Sequence, residues 1–184
     1  MFSYKIDADL ELRLPEERHA EEASELVRQN IQHLKMWLPW VGDDYSLEDA
    51  QNFIRHNLQQ FADNKGFAVQ LVFRNRIAGY AGYNTIDLHN RKAEIGYWLG
   101  AAFEGRGLMT KACQALVDYG FHELKLNRIE MQCSTHNSRS RRIPERLGFT
   151  QEGVLRQAEW VHDHFNDLVV YAMLAHEWQA KNQF

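Results

Sequence analysis

Hydrophobic positions along this 184-residue chain change period several times, and each change marks an element. Leu10, Leu12 and Leu14 alternate with Glu11 and Arg13, which predicts a strand. Pro15 suits a first helical position, so an acid-led helix is expected over 16–30. Trp37, Pro39 and Trp40 crowd residues 33–41 into an aromatic loop or short helix. Ser46-Leu47-Glu48-Asp49 matches a capping box and opens a helix to about Asp63, which Asn64-Lys65-Gly66 ends. Two strands at 67–73 and 76–84 flank Arg74-Asn75, a two-residue hairpin turn. The polar run 87–91 turns the chain into a fourth strand at 92–99, and a helical period follows from Gly107 to about Leu124. In a fifth strand, 128–134, Ile129, Met131 and Cys133 point one way and Glu130 and Gln132 the other. Asn137 begins a short helix that Leu147-Gly148 closes. Two last strands, about 151–160 and 166–174, share a turn at His162-Asp163.

The resulting order is β-α-α-β-β-β-α-β-α-β-β: a meander, one central βαβ unit and a closing hairpin. That predicts the α+β class, with a mixed, mostly antiparallel sheet of seven strands and about four helices. A single domain over 1–184 is expected, since this length supports one full core. Hydrophobic residues make up 45% and the net charge is −4, which argues against a general nucleic-acid binder. Cys113 and Cys133 lack CxxC spacing and read as free thiols of a reducing compartment. The charged, alternating N-terminus is unlike a signal peptide, and no run of ~18 apolar residues suggests a membrane span. A soluble, cytoplasmic protein is the expectation.

The fourth strand runs through Gly105-Arg106-Gly107 straight into a helix. Helix N-termini carry free N–H groups and partial positive charge, and glycines let a ligand approach the backbone. A strand, then Glu104-Gly105-Arg106-Gly107, then a helix is therefore a candidate anion site. A P-loop is excluded, because no Lys-Ser or Lys-Thr follows. A plain tight turn remains open. So does a dinucleotide fingerprint, although Thr110 stands where its third glycine belongs and little chain remains for the usual sheet.

The stretches GYWLGAAFEGRGLMTKA and LNRIEMQCSTHNSRSRRIPERLGF resemble the GNAT acetyltransferases. With MWLPW, NRKAEIGYWLG and HDHFNDLVVYAML, the chain is similar, from about Leu10 to Trp178, to the RimJ/RimL-type enzymes that acetylate ribosomal proteins. The resemblance implies the GNAT fold, with the fourth and fifth strands splayed apart, and assigns the glycine turn to the pyrophosphate of acetyl-CoA. The family's Gln/Arg-x-x-Gly-x-Gly/Ala motif falls on 102–107, with Ala102 in the first slot, so one polar side chain is missing. Backbone groups of Glu104, Gly105, Arg106, Gly107, Leu108, Met109 and Thr110 would do the binding. The pantetheine arm would pair with the fourth strand around Tyr97, Trp98 and Leu99, with Gly96 as the bulge that opens the splay.

Acetyl transfer needs an amine without its proton, a stabilised oxyanion and a proton for the leaving thiolate. No Cys/His pair with a local signature appears, which favours direct transfer over a covalent acyl-enzyme. The family's Asn-x-x-Ser maps onto Asn137, for CoA or simply a helix cap, and Ser140, for the departing sulfur. Pro144 removes the helical partner of the Ser140 carbonyl. Glu159 is the expected base, with a solvated glutamate or a water chain as rivals. Cys133, at the end of the fifth strand, either lies near the CoA sulfur or is a structural thiol, and His162-x-His164 is too sparse for a metal site, so no metal is expected. Trp37 and Trp40 either line an acceptor groove or pin a helix connection. Arg139, Arg141 and Arg142 suit the 3′-phosphate of CoA. The implied acceptor is a protein N-terminal α-amine. A polyamine, amino sugar or amino acid is the alternative acceptor, and a CoA-binding or ribosome-associated module without catalysis is the alternative class. A homodimer is left open.

Overall fold

The structure is a computed structural model and describes residues 3–181; residues 1, 2 and 182–184 of the expected single domain lie outside it. Its strands are β1 (Ser3–Lys5), β2 (Leu10–Arg13), β3 (Phe67–Phe73), β4 (Arg76–Asp87), β5 (Lys92–Leu99), β6 (Arg128–Ser134), β7 (Thr150–Val161) and β8 (His164–Leu174). They form one sheet in the order β1-β2-β3-β4-β5-β6-β8-β7. Every pairing is antiparallel except β5 with β6. The helices are α1 (Ala20–Gln29), α2 (Ile31–Leu34), α3 (Leu47–Ala62), α4 (Leu108–His122), α5 (Ser138–Leu147) and α6 (Ala175–Lys181).

The α+β class and the mixed sheet agree with the reading of the sequence, and the count of strands rises from seven to eight. The added strand, β1, is three residues long and exposed throughout, so it carries no burial period to detect. Helices α2 and α6 are one and about two turns long, also too short for a clear period. The first long helix begins later than Pro15 suggests. Glu16 is extended and caps a 3₁₀ turn at Glu17–His19, with its N–H donated to His19 Nδ1 at 3.1 Å, and α1 follows. Other local signals hold. Arg74 and Asn75 both take positive φ, as a tight hairpin requires. Ser46 and Asp49 cap each other reciprocally, and Gly148 closes α5 in the left-handed region.

Helix α4 lies against one face of the sheet. Leu108, Ala112, Leu116 and Val117 are buried there with Ile95, Ile129, Met131 and Val169. Each fully buried Leu or Val side chain contributes about 1.5–3 kcal/mol. Tyr83 is buried in the same layer and donates to the Leu116 carbonyl, which satisfies the one polar atom it brings inside. On the other face, α1 and α3 cover Ile77 and Tyr80 with Ala23, Leu26 and Ile54. These helices cover the β3–β5 half. The face of β6, β8 and β7 that carries Gln132, Asn166 and Glu159 lies beyond them.

Candidate active site

The central parallel pair sets the site. β5 and β6 pair at Lys92–Arg128, Ala93–Ile129 and Glu94–Glu130, and there the ladder ends. β5 continues to Leu99, paired on its other side with β4, and β6 continues to Ser134, paired with β8. The strands therefore part in a V whose β5 edge, from Ile95 to Leu99, keeps unpaired backbone groups toward the gap. Tyr97, Trp98 and Leu99 lie on this edge. Trp98 turns to the α1/α3 face, stacked on Tyr80 at 5.3 Å and tilted against Trp40 at 5.9 Å. Its ring is a packing element of that layer.

The glycine turn lies at the exit of β5. Gly105 and Gly107 both have φ of +74°, and a Cβ built on either would meet nothing within 4 Å. Conformation and open space, not crowding by the protein, select glycine here. Gly107 caps α4 without any side-chain cap, so the N–H groups of the first turn face outward unspent. Leu108 and Met109 bury their side chains, so they can offer a ligand only backbone. The Glu104 N–H already donates to the Ala101 carbonyl at 3.3 Å. Its carboxylate is held between His33, at 3.2 Å, and Arg139 of α5. Arg106 lies beside Phe73, 5.9 Å from the ring centre. This cradle fits a phosphate.

Three groups converge on the α4 side of the V. The Tyr97 hydroxyl reaches across from β5, 3.4 Å from Cys133 Sγ on β6, and donates to the Ser140 carbonyl of α5 at 3.0 Å. That carbonyl is the one Pro144 leaves without a helical donor. Asn137 caps α5, its side chain accepting from the Ser140 N–H at 3.1 Å. Burial pushes the phenol of Tyr97 well above its ordinary range. Burial likewise raises the Cys133 thiol, partly offset by Tyr97, Ser140 and the charge of Arg141. Cys113, fully buried, is raised further. Tyr97, Cys133 and Cys113 therefore keep their protons at neutral pH.

The opposite side carries carboxylates. Glu159 on β7 faces Asn166 on β8. Burial raises the carboxyl of Glu159 above the usual glutamate value; the Asn166 amide offsets part of the rise and the negative charge of Glu94 adds to it. Glu94, the last residue of β5 paired with β6, accepts from Asn84 Nδ2 at 2.9 Å and from Gln132 Nε2 at 3.1 Å. The bulge expected at Gly96 lies instead on β4. Gly96 pairs regularly with Gly82, while the register slips between Tyr83 and Thr85, leaving Asn84 as the extra residue. A Cβ on Gly96 would lie 2.5 Å from Asn84 Oδ1, so Gly96 is the clearance over which Asn84 reaches Glu94. Neither Glu94, Asn84 nor Asn166 stands out in the sequence. Glu94 reads as the polar half of an alternating strand.

The remaining candidates separate. Arg141 is spent on Tyr171, at 3.0 Å, and on the Thr135 carbonyl, at 3.2 Å. Arg142 is exposed. Trp40 packs on Tyr45, Phe53 and Trp98 with 43% of its surface exposed, and Trp37 is half-buried nearby in sequence. His164 bonds its neighbour Asp163 at 2.8 Å. Among the described residues no three His, Cys, Asp or Glu side chains gather as a metal site would require.

The profile of the acetyltransferase (GNAT) domain matches residues 9–150. This chain belongs to the GNAT acetyltransferases. It is 37% identical, over 98% of its length and 100% of the relative's, to YdaF of Bacillus subtilis, described as a candidate ribosomal N-acetyltransferase. It is 31% identical, over 92% and 95% of the two chains, to the ribosomal-protein-serine acetyltransferase of Escherichia coli. The solved structure of RimL, a ribosomal α-N-protein acetyltransferase in complex with coenzyme A as a disulfide with a cysteine, superposes with a TM-score of 0.91. That alignment covers 96% of this chain and 99% of RimL at 28% identity. The chain is thus an N-acetyltransferase of the RimJ/RimL kind, and its V is the GNAT splay.

Proposed function

We propose that this acetyltransferase takes acetyl from acetyl-CoA and passes it to the N-terminal α-amine of a protein, with ribosomal proteins as the acceptor class. The observation that carries the reading is the end of the β5–β6 ladder at Glu94. It leaves a slot with an anion cradle at its mouth and opposite chemistry on its two sides. Bound in that slot, acetyl-CoA supplies an activated acetyl group on a good leaving thiol. The free N–H groups of Arg106 to Thr110 hold the pyrophosphate, and Arg139 of α5, paired with Glu104, lies at the same mouth. The open edge of β5 at Tyr97–Leu99 receives the amide-bearing arm as an added strand would be received.

Glu159 takes the amine proton. Its raised pKa brings a glutamate closer to the operating pH, where a general base works best. Ser140 Oγ gives a proton to the departing sulfur, with Tyr97 fixing the backbone of Ser140. Cys133 is held protonated by burial, which disfavours a thiolate nucleophile and supports direct transfer. CoA joined to a cysteine in RimL supports a thiol lying near the end of the arm. A ribosomal acceptor puts the reaction in the cytoplasm.

The test is mass spectrometry of acetyl-CoA reactions with peptides bearing free N-termini, run beside spermidine, glucosamine and free amino acids. Acetylation of peptide α-amines at rates at least tenfold above the small amines is expected. Turnover confined to a small amine would replace the acceptor class. Acetyl-CoA binding with no turnover on any acceptor would replace the enzyme reading with a binding module.

A further inference from the structure

Two carboxylates on the open side have no cationic partner. Glu94 is fixed by two neutral amides, Asn84 and Gln132, and forms no ion pair among the described residues; the same holds for Glu159. A half-buried carboxyl held only by neutral donors has its place for a cation still open. Beside Glu159 a third group is unsatisfied. Asn166 is 5% exposed, and its Nδ2 is buried without a hydrogen-bond partner. Leaving a buried donor unmade is costly, so this amide N–H asks for an oxygen.

The strand registers line these groups along one face of the sheet. Gln132, which touches Glu94, is paired with Val170; Cys133 is paired with Val169, and Ser134 with Leu168. Asn166 follows on β8, beside Glu159. Gln132, Val170, Leu168, Asn166 and Glu159 share one face by the strand period. Cys133, Tyr97 and Ser140 lie behind it at the level of Val169. The carboxylates thus flank, from two sides along the strand, the level at which the acetyl group would stand. They are near enough for the charge of Glu94 to be felt at Glu159.

We propose that Glu94, Glu159 and Asn166 form the seat of the acceptor's first residue, with its ammonium between the carboxylates and its carbonyl oxygen on the Asn166 amide. The seat selects a cation with a carbonyl attached to the next carbon, which is a peptide N-terminus. A polyamine offers the cation but no oxygen for Asn166. The proposal rests on the acetyl-transfer reading only for the identity of the slot, and it deepens that reading by naming how the acceptor is chosen.

Calorimetric titration of the full chain tests it without turnover. The probes are Ser-Ala-Ala-Ala amide with a free N-terminus, the same peptide N-acetylated, and spermidine. The free peptide should bind roughly tenfold tighter than its acetylated form, one charge-assisted contact's worth. Glu94→Gln should weaken the free peptide and spermidine alike, by about tenfold. Asn166→Leu should weaken the peptide by a similar factor and leave spermidine unchanged, with Asn166→Ser as the substitute if the leucine variant does not fold. Acetyl-CoA should raise the melting temperature of all variants as it does that of the wild type. Equal affinity for the free and acetylated peptides, or a Glu94→Gln variant that binds the peptide like the wild type, overturns the seat. Absence of an acetyl-CoA melting shift in the wild type would instead overturn the acetyl-transfer reading, and the peptide titrations would still decide the seat.

Discussion

The two sides of the V differ in what they do with protons. On the α4 side, Tyr97, Cys133 and Ser140 lie together, and burial pushes the Tyr97 phenol and the Cys133 thiol to keep their hydrogens. On the β7–β8 side, Glu94 and Glu159 are carboxyls with no cationic partner among the described residues, lie beside side-chain amides and keep one edge toward solvent. β5 serves both sides, with Glu94 on one face and Tyr97 on the other, and β6, β7, β8 and α5 supply the rest. One gap in a ladder therefore separates an acid environment from a basic one by the thickness of a sheet, without needing separate domains. A reaction that must remove a proton from one reactant and give one to another gains from that separation, because the two groups do not neutralise each other directly.

The comparison can be broken most completely at the mouth both sides share. Gly107→Asp adds a Cβ at φ +74° and a negative charge at the helix start. The thermal stabilisation given by acetyl-CoA should vanish, while the circular dichroism spectrum stays that of a folded protein. An undiminished melting shift would remove the phosphate from this turn. The basic side is next. Glu159→Gln should lower kcat/KM by roughly 100-fold near neutral pH, within the usual span for a general base. The loss should narrow at high pH, where an α-amine of pKa about 8 deprotonates unaided. The wild-type acid limb should lie above the ordinary glutamate value, because burial raises this group. A variant whose pH profile parallels the wild type with kcat intact would hand the proton to a water chain.

The acidic side should respond less. Ser140→Ala is expected to lower kcat by about 10- to 100-fold with the KM for acetyl-CoA little changed, since its contact belongs to the leaving group. An unchanged kcat would leave Ser140 as a helix residue only. The smallest effect is on stability. A carboxyl whose folded pKa is raised favours folding most when protonated, below the unfolded value near 4.5. That contribution is lost as pH rises through the raised folded value. Glu159→Gln should therefore melt slightly higher than the wild type at neutral pH, and the difference should fade as the pH falls to about 4. Denaturation series across that window would show it; a constant difference would mean the carboxyl is not strained by burial.

Much of the fold was legible because its signals are local. The alternation at Leu10 to Leu14, the Ser46 cap, the Arg74-Asn75 turn and the glycine at 148 each act within a few residues, and the structure keeps them. What escaped depends on other strands. Whether β6 follows β5 for three residues or seven is not written in either strand's period, so the V comes from the family resemblance alone. The bulge was expected at a glycine, because glycine is the residue that signals one. It formed at Asn84, and the glycine opposite is small so that Asn84 can pass. Glu94, Gln132 and Asn166 look like ordinary polar positions of alternating strands. Only the registers reveal that they line one trough.

Pro144 has a consequence for anyone trying to harden this protein. A proline in a helix interior costs about 3 kcal/mol in that helix and looks like an error to repair. Pro144→Ala would give the Ser140 carbonyl a donor of its own chain. That new bond competes with the Tyr97 hydroxyl for the same oxygen. A sturdier helix would thus hold its neighbour across the V less firmly, and the engineer's gain in heat tolerance would be taken from the alignment of the serine. Local imperfection in α5 is the grip by which the rest of the sheet holds it.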